Sequence, residues 1–268
     1  MPRRPEPHSG IRLPHLVLPG TDQMALDSAL LSWAAAGPDR FAARTYGWTR
    51  PTLSLGRAEP FPGSYDAGAL RAAGIDVVRR PTGGDAVLHD EEVTFAVAAS
   101  VPGPWAARPR RFALLVAGAL AEALQGVGLA ALVVPAGGES GDAPSAAAVT
   151  PAAPGARPCF ARAAPGEVRV GGWKAAGIAA RFTRGGALCH ASVPLTARHR
   201  DVARFRHDAD VSLSELRAHA RSAGETLGRA VDPREVGEGL FRALERSFGV
   251  RLVAGGLEQV GADVPAGA

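Results

Sequence analysis

The stretch "VVRRPTGGDAVLHDEEVTFAV", residues 77–97, sets apolar and β-branched runs on either side of a glycine pair. Such runs, bounded by Pro and Gly, read as strands joined through a loop. Side chains alternate across a strand, so Arg79 and Arg80 point to opposite faces and at most one of them lines a pocket. His89 and Asp90 diverge in the same way, which argues against a local His-Asp pair. Gly83 and Gly84 let backbone approach a ligand closely, with amides facing an oxygen or phosphate, although a hairpin turn explains the pair equally well. No Gly-Lys-Ser/Thr follows, which excludes a Walker loop.

On the N-terminal side, "DQMALDSALLSWAAAG" (22–37) carries Leu26, Leu30, Leu31 and Trp33 at helical spacing, with Thr21 or Asp22 as cap and Gly37 as stop. "RTYGWTRPTLSLG" (44–56) reads as two strands around an Arg50-Pro51 turn, and "DAGALRAAG" (66–74) as a short helix. On the C-terminal side, "RRFALLVAGALAEALQGVG" (110–128) predicts a long helix, while "GEVRVGG" (166–172) and "ALCHASVPL" (187–195) alternate like strands. "SLSELRAHARSAGETLG" (212–228) opens with a capping-box pattern, Ser212 and Glu215, and "DPREVGEGLFRALERSF" (232–248) predicts a helix with Pro233 in its first turn. Strands and helices mix without a repeated strand-helix-strand unit. This predicts an α+β fold, a mixed and mainly antiparallel sheet flanked by helices.

The 268 residues suffice for a substantial core, and 46% hydrophobic with 21% charged residues is the composition of a globular protein. A net charge of +4 and a pI of about 9.8 favour acidic partners. No basic run interleaved with aromatics, zinc-finger spacing or RNA-recognition signature occurs, so no nucleic-acid partner is expected. Two cysteines, Cys159 and Cys189, make no disulfide framework, and no CxxC pair offers a metal site. The most apolar segment, 112–134, is interrupted by Glu122, Gln125 and glycines, so it reads as a core helix and strand rather than a membrane span. A cytoplasmic protein with no membrane association is expected. Residues 1–20 read as an N-terminal extension, 21–253 as the main domain, and 254–268 as a tail. Within the domain, 135–158 consists of small residues and Pro without an apolar period, and is expected to be a mobile loop.

"GGWKAAGIAA" (171–180) contains the chain's single lysine, Lys174, against 29 arginines. Lys is a compact point charge whose pKa shifts readily, suited to proton transfer or to gripping one oxygen; drift on a surface strand is the plainer explanation. Cys159 lies 15 positions earlier. A neighbouring cation stabilises a thiolate nucleophile, whereas spacing alone favours a small buried hydrophobe. Cys189 and His190 face opposite ways if their strand is regular, which makes Cys189 core filling and His190 the pocket-side residue.

"MALDSALL", "YGWTRPTLSLG", "VVRRPTGGDAVLHDEEVTFAV", "CFARAAPGEVRVGGWKAAGIAAR" and "GALCHASVPL" together resemble the biotin/lipoate protein ligase superfamily in order and spacing. Within it the chain is most similar to the octanoyltransferases that begin lipoate synthesis, over residues 22–253. The resemblance implies a biotin/lipoate protein ligase-like fold. It implies that Cys159 is the acyl-thioester nucleophile and Lys174 the pocket lysine that lowers the cysteine pKa and contacts the acyl carbonyl. Arg80, Thr82, Gly83, Gly84 and His89 match the loop that closes over the acyl chain, and Gly177, Ile178, Ala179 and His190 the facing wall. Acyl carrier protein is the implied donor, and a lipoyl domain (glycine cleavage H protein or 2-oxoacid dehydrogenase E2) the implied acceptor, with no cofactor or metal. An ATP-dependent lipoate–protein ligase, which makes lipoyl-AMP with ATP and Mg, and a non-catalytic paralogue that binds lipoyl domains are the alternatives. Four positions depart from the family pattern: Asp85 in the loop, Ile178 and Ala180 where Ser and Gln are usual, and Ala191 where Gly is usual.

Overall fold

The computed structural model describes residues 8–134, 160, 166–207 and 213–262. Its elements run β1 (His8–Arg12), β2 (Leu16–Leu18), α1 (Gly20–Ala35), β3 (Phe41–Trp48), β4 (Thr52–Leu55), α2 (Ala67–Ala72), β5 (Asp76–Arg79), β6 (Val87–His89), β7 (Glu92–Val101) and α3 (Pro109–Gly126). They continue as β8 (Ala131–Val133), β9 (Val168–Val170), β10 (Trp173–Lys174), β11 (Gly177–Phe182), β12 (Gly185–Pro194), a 3-10 segment (Ala197–Phe205), α4 (Leu213–His219), α5 (Ala223–Leu227), α6 (Pro233–Phe248), β13 (Val250–Ala254) and a 3-10 turn (Leu257–Val260).

The main sheet has strand order β11-β12-β7-β3-β1-β13, with β2 also paired to β3. Its longest pairings, β12 with β7 and β7 with β3, are antiparallel, while β1 runs parallel to both neighbours. Two three-stranded sheets, β10-β9-β8 and β5-β4-β6, complete the fold.

The period of two in the central strands determines what covers each face. From β7, Val93, Phe95, Val97 and Ala99 enter the core formed with α3 and α6, and Ala96 and Ala98 enter the core under α1. From β12, Ala187, Cys189, Ala191 and Val193 join the first core, and Leu188 the second. The sheet is therefore the middle of three layers, and His190 and Ser192 face the α1 side.

Several local expectations change in the structure. The N-cap position of α1 is Pro19, whose carbonyl accepts from the amides of Asp22 and Gln23 at 3.1 Å, so neither Thr21 nor Asp22 caps it; the helix stops as read, with its C-cap Ala36 directly before Gly37. The expected capping box at Ser212 lies outside the described residues. A capping box forms ten residues later: the Ser222 hydroxyl accepts from the Glu225 amide, and the Glu225 carboxylate from the Ser222 amide. Helix α6 begins as read, with Pro233 in its first turn and the Asp232 carboxylate capping the Arg234 amide at 2.8 Å. The Arg50-Pro51 turn stands between two strands as read, and those strands belong to different sheets. The boundaries drawn at 20 and 253 do not follow the packing either. Residues 8–18 contribute β1 and β2 to the main sheet, and Leu257 and Val260 pack in the core under α1. The segment 135–158 lies outside the described residues. Among those described, no helix is long and apolar enough to cross a membrane.

Candidate active site

A cavity of about 340 Å³ opens on the α1 side of the main sheet, within the size range of small-molecule pockets. Met24, Tyr46, Trp48, Thr94, His190 and Ser192 line it from α1 and the main sheet; Ser54, Val87 and His89 from β4 and β6; and Lys174, Gly177, Ile178 and Ala179 from β10 and β11.

The glycine-pair loop is shaped by Arg80. Strands β5 and β6 pair with opposite edges of β4, so the loop is a crossing rather than a hairpin turn. The buried guanidinium of Arg80 donates to the carbonyls of Ser54 (2.7 Å), Gly83 (2.9 Å) and Asp85 (2.7 Å), which curls the loop around one side chain. Arg79 points away and donates to the carbonyls of Gly56 (2.7 Å) and Glu59 (2.6 Å). Gly84 sits at φ 90°, backbone that favours glycine, and lines the cavity with Arg80 and Asp85. Gly83 and Thr82 are not among the lining residues.

Two carboxylate–imidazole–hydroxyl arrays border the cavity. In the first, His190 Nδ1–H donates to Asp27 Oδ2 (2.9 Å), and Nε2 meets Thr82 Oγ1 at 2.7 Å. Asp27 also accepts from Arg44 (2.6 Å) and from the Tyr46 hydroxyl (3.0 Å). Burial pushes the Asp27 carboxyl up, but Arg44 and then His190 outweigh it and hold it below the usual range. Burial lowers the His190 pKa against the opposing pull of Asp27, so the ring is neutral near pH 7. In the second array, His89 Nδ1 meets Glu92 Oε1 at 2.7 Å and Nε2 meets Ser54 Oγ at 2.7 Å. Glu92 is buried and also accepts from the hydroxyls of Thr94 and Ser192. Burial pushes its carboxyl up, yet His89 and these hydroxyls hold it below the usual range. The Trp48 ring stacks on His89 at 4.1 Å between centroids and 14° between planes.

Lys174 is buried at the cavity wall and donates to Glu167 Oε1 at 2.6 Å. Its ammonium also lies 5.6 Å from the centre of the buried Phe160 ring. Cys159, the residue before Phe160, lies outside the described residues. Cys189 is fully buried in the core, where burial pushes its thiol up to about 12. Among the described residues, no group of three or more His, Cys, Asp or Glu could hold a metal ion.

Of the residues read from sequence, Arg80, Gly84, His89, Lys174, Gly177, Ile178, Ala179 and His190 line this one cavity; Thr82 stands behind it, bonded to His190. Sequence reading missed three carboxylates. Asp27 had a signal, because it shares the apolar stripe of its helix with Met24 and Leu31, three and four positions away. Glu92 had none: His89 avoids Asp90 as expected, but Glu91 at φ 48° interrupts the strand and returns Glu92 to the ring. Glu167 stands just before β9, and only the pairing of β9 with β10 brings it to Lys174.

A sequence profile of the lipoyl protein ligase A/B catalytic domain matches residues 19–245. The octanoyltransferase LipM of Moorella thermoacetica is 33% identical over 242 residues, 88% of this chain and 85% of that protein. The octanoyltransferase LipM of Symbiobacterium thermophilum is 31% identical over 249 residues, 90% and 87% of the two chains. Among solved structures, lipoate-protein ligase A bound with ATP superposes with a TM-score of 0.70 at 20% identity, covering 94% of this chain and 92% of the other. The bi-partite lipoate protein ligase of Thermoplasma acidophilum, described with its E2 lipoyl domain, gives 0.66 at 19% identity over 93% and 90%. At these identities the superpositions establish the fold, a biotin/lipoate protein ligase fold as the sequence predicts.

Proposed function

The chain belongs to the lipoyl protein ligase A/B catalytic-domain family, and from that membership we propose that it is an octanoyltransferase of lipoate biosynthesis. Cys159 attacks the thioester of octanoyl-acyl carrier protein, the pantetheine thiol leaves, and the acyl-cysteine then passes its octanoyl group to a lysine of a lipoyl domain. Splitting the transfer at a thioester replaces one encounter of two macromolecules with two simpler steps. On this reading the activity operates in the cytoplasm without a cofactor.

The observation that carries the reading is a buried lysine on the wall of a largely apolar cavity. Met24, Trp48, Val87 and Ile178 offer the apolar surface that an acyl chain needs, and Lys174 supplies a cation for the carbonyl oxygen, where charge develops on attack. Ile178 extends the apolar wall at a position where the family usually has Ser. The relatives named as octanoyltransferases support transfer over ligation, and the basic chain suits acidic carrier and lipoyl domains. The archaeal ligase described with its E2 lipoyl domain supports a lipoyl domain as acceptor.

The test mixes the protein with octanoyl-acyl carrier protein and a lipoyl domain, with and without ATP, and follows intact masses. Octanoylation of the lipoyl domain without ATP is expected. Strict dependence on ATP would replace this reading with a ligase, and tight lipoyl-domain binding without transfer would replace it with a non-catalytic binder.

A further inference from the structure

The two imidazole arrays end differently. The His190 array ends on Thr82, a fully buried residue outside the cavity lining, and so braces the glycine-pair loop. The His89 array ends on Ser54, which is as buried as Thr82 but, unlike it, is among the residues that line the cavity. With Nδ1–H directed at the Glu92 carboxylate, the neutral ring leaves Nε2 to accept from the Ser54 hydroxyl. Both bonds are 2.7 Å, and the Trp48 stack and the Thr94 and Ser192 hydroxyls fix the ring and the carboxylate. A hydroxyl bonded to a base that is oriented by a buried carboxylate is the arrangement of an activated serine nucleophile. Arg80 Nη1 lies 3.3 Å from Ser54 Oγ and places positive charge beside the oxygen that loses its proton.

The geometry points to a second activity in this cavity: Ser54, His89 and Glu92 form a serine acyl-hydrolase triad that cleaves medium-chain acyl esters and thioesters to the free acid. Ser54 Oγ attacks the carbonyl carbon, its proton moves to His89 Nε2, and that proton leaves with the departing thiol or alcohol as the C–S or C–O bond breaks. Water then attacks the acyl-serine, delivers its proton to His89 Nε2 and forms the carboxylic acid, and Ser54 Oγ recovers the proton. Glu92 supports the imidazolium formed in each half and stays ionised. The activity shares its cavity with the proposed octanoyl transfer but needs neither Cys159 nor a carrier protein.

The test uses the full-length Cys159→Ala protein with 4-nitrophenyl octanoate, an activated ester that needs no partner. Release of 4-nitrophenolate above the buffer rate is expected, with an octanoyl mass on the peptide containing Ser54. Adding Ser54→Ala should lower release at least about a hundredfold, the scale of losing one positioned catalytic group, and Glu92→Gln should lower it and shift its pH profile. Fluorophosphonate labelling of the Cys159→Ala protein, with Ser54 itself unaltered, should map to Ser54, so the proposal does not hang on whether a Ser54 variant folds. Release at the buffer rate, release unchanged by Ser54→Ala, or label and acyl mass on another residue overturns the triad. Those outcomes leave octanoyl transfer by the unaltered protein untouched, whereas loss of transfer with retained ester cleavage overturns only the transferase reading.

Discussion

Lys174 and Glu167 form a buried ion pair of 2.6 Å at the wall of the cavity. The lysine is thus held at a fixed point by a carboxylate that stands just before the neighbouring strand of its own small sheet, a place sized for a compact ammonium. A guanidinium is wider and planar, and in the same place it would displace either the carboxylate or, on the proposed function, the acyl carbonyl.

Lys174→Arg is therefore expected to lower octanoyl transfer at least about a hundredfold. Glu167→Ala leaves a buried ammonium without this carboxylate, and breaking such a pair costs about 3–5 kcal/mol. Urea denaturation should register that loss, and transfer should fall with it. Equal stability of Glu167→Ala and the unaltered protein would remove the pair from any structural role.

The two cysteines should behave oppositely. Cys189 is enclosed in the core with its thiol pushed up to about 12, so it stays protonated and inert near neutral pH. Mixing with octanoyl-acyl carrier protein is expected to give a covalent octanoyl adduct in the unaltered protein and in Cys189→Ala, and none in Cys159→Ala. An adduct that survives Cys159→Ala and vanishes in Cys189→Ala would reverse the assignment.

The loop that Arg80 gathers depends on Gly56. A Cβ there would stand 1.8 Å from the carbonyl oxygen of Gly84, which is backbone and cannot rotate away. Gly56→Ala is expected to push the loop off Arg80 and to cost about 1–3 kcal/mol, the usual range for overpacking. Gly118→Ala is the matched control, because nothing stands within 4 Å of its added Cβ on α3. There alanine should be neutral or stabilise the helix by about 0.5–1 kcal/mol. Melting curves of the two variants decide the point.

His199 sets a pH dependence. Its Nδ1–H donates to the Thr196 carbonyl at 3.0 Å, and Nε2 has no hydrogen-bond partner among the described residues. Burial, opposed by the Thr196 carbonyl, pushes its pKa down to about 4 from the ordinary 6.5. The folded protein therefore keeps the ring neutral where the unfolded chain protonates it. The stability it contributes is fully present above pH 6.5 and is lost as pH falls towards 4, by a total of about 3 kcal/mol. Melting temperature followed across that window should fall less steeply in His199→Phe. Parallel slopes for the two proteins would assign the acid sensitivity to other groups.

Features that repeat over short distances were legible in the order of residues. Alternation in β12 divided Cys189 from His190, and the same alternation at the end of β5 divided Arg79 from the next residue, Arg80, because neighbouring side chains of extended backbone leave opposite faces. The mixture of strands and helices gave the class, and apolar spacing gave α3 and α6 within two residues of their ends. Tertiary structure alone decided which groups meet. Glu92 turns back to His89 because one residue at positive φ interrupts what reads as a continuous strand. Asp27 reaches His190 from 163 positions away because α1 packs across β12. Glu167 reaches Lys174 because β9 pairs with β10. Local spacing fixes the direction of a side chain, since that depends on a few backbone dihedrals, whereas its partner depends on how whole layers pack, which no window of neighbouring residues contains.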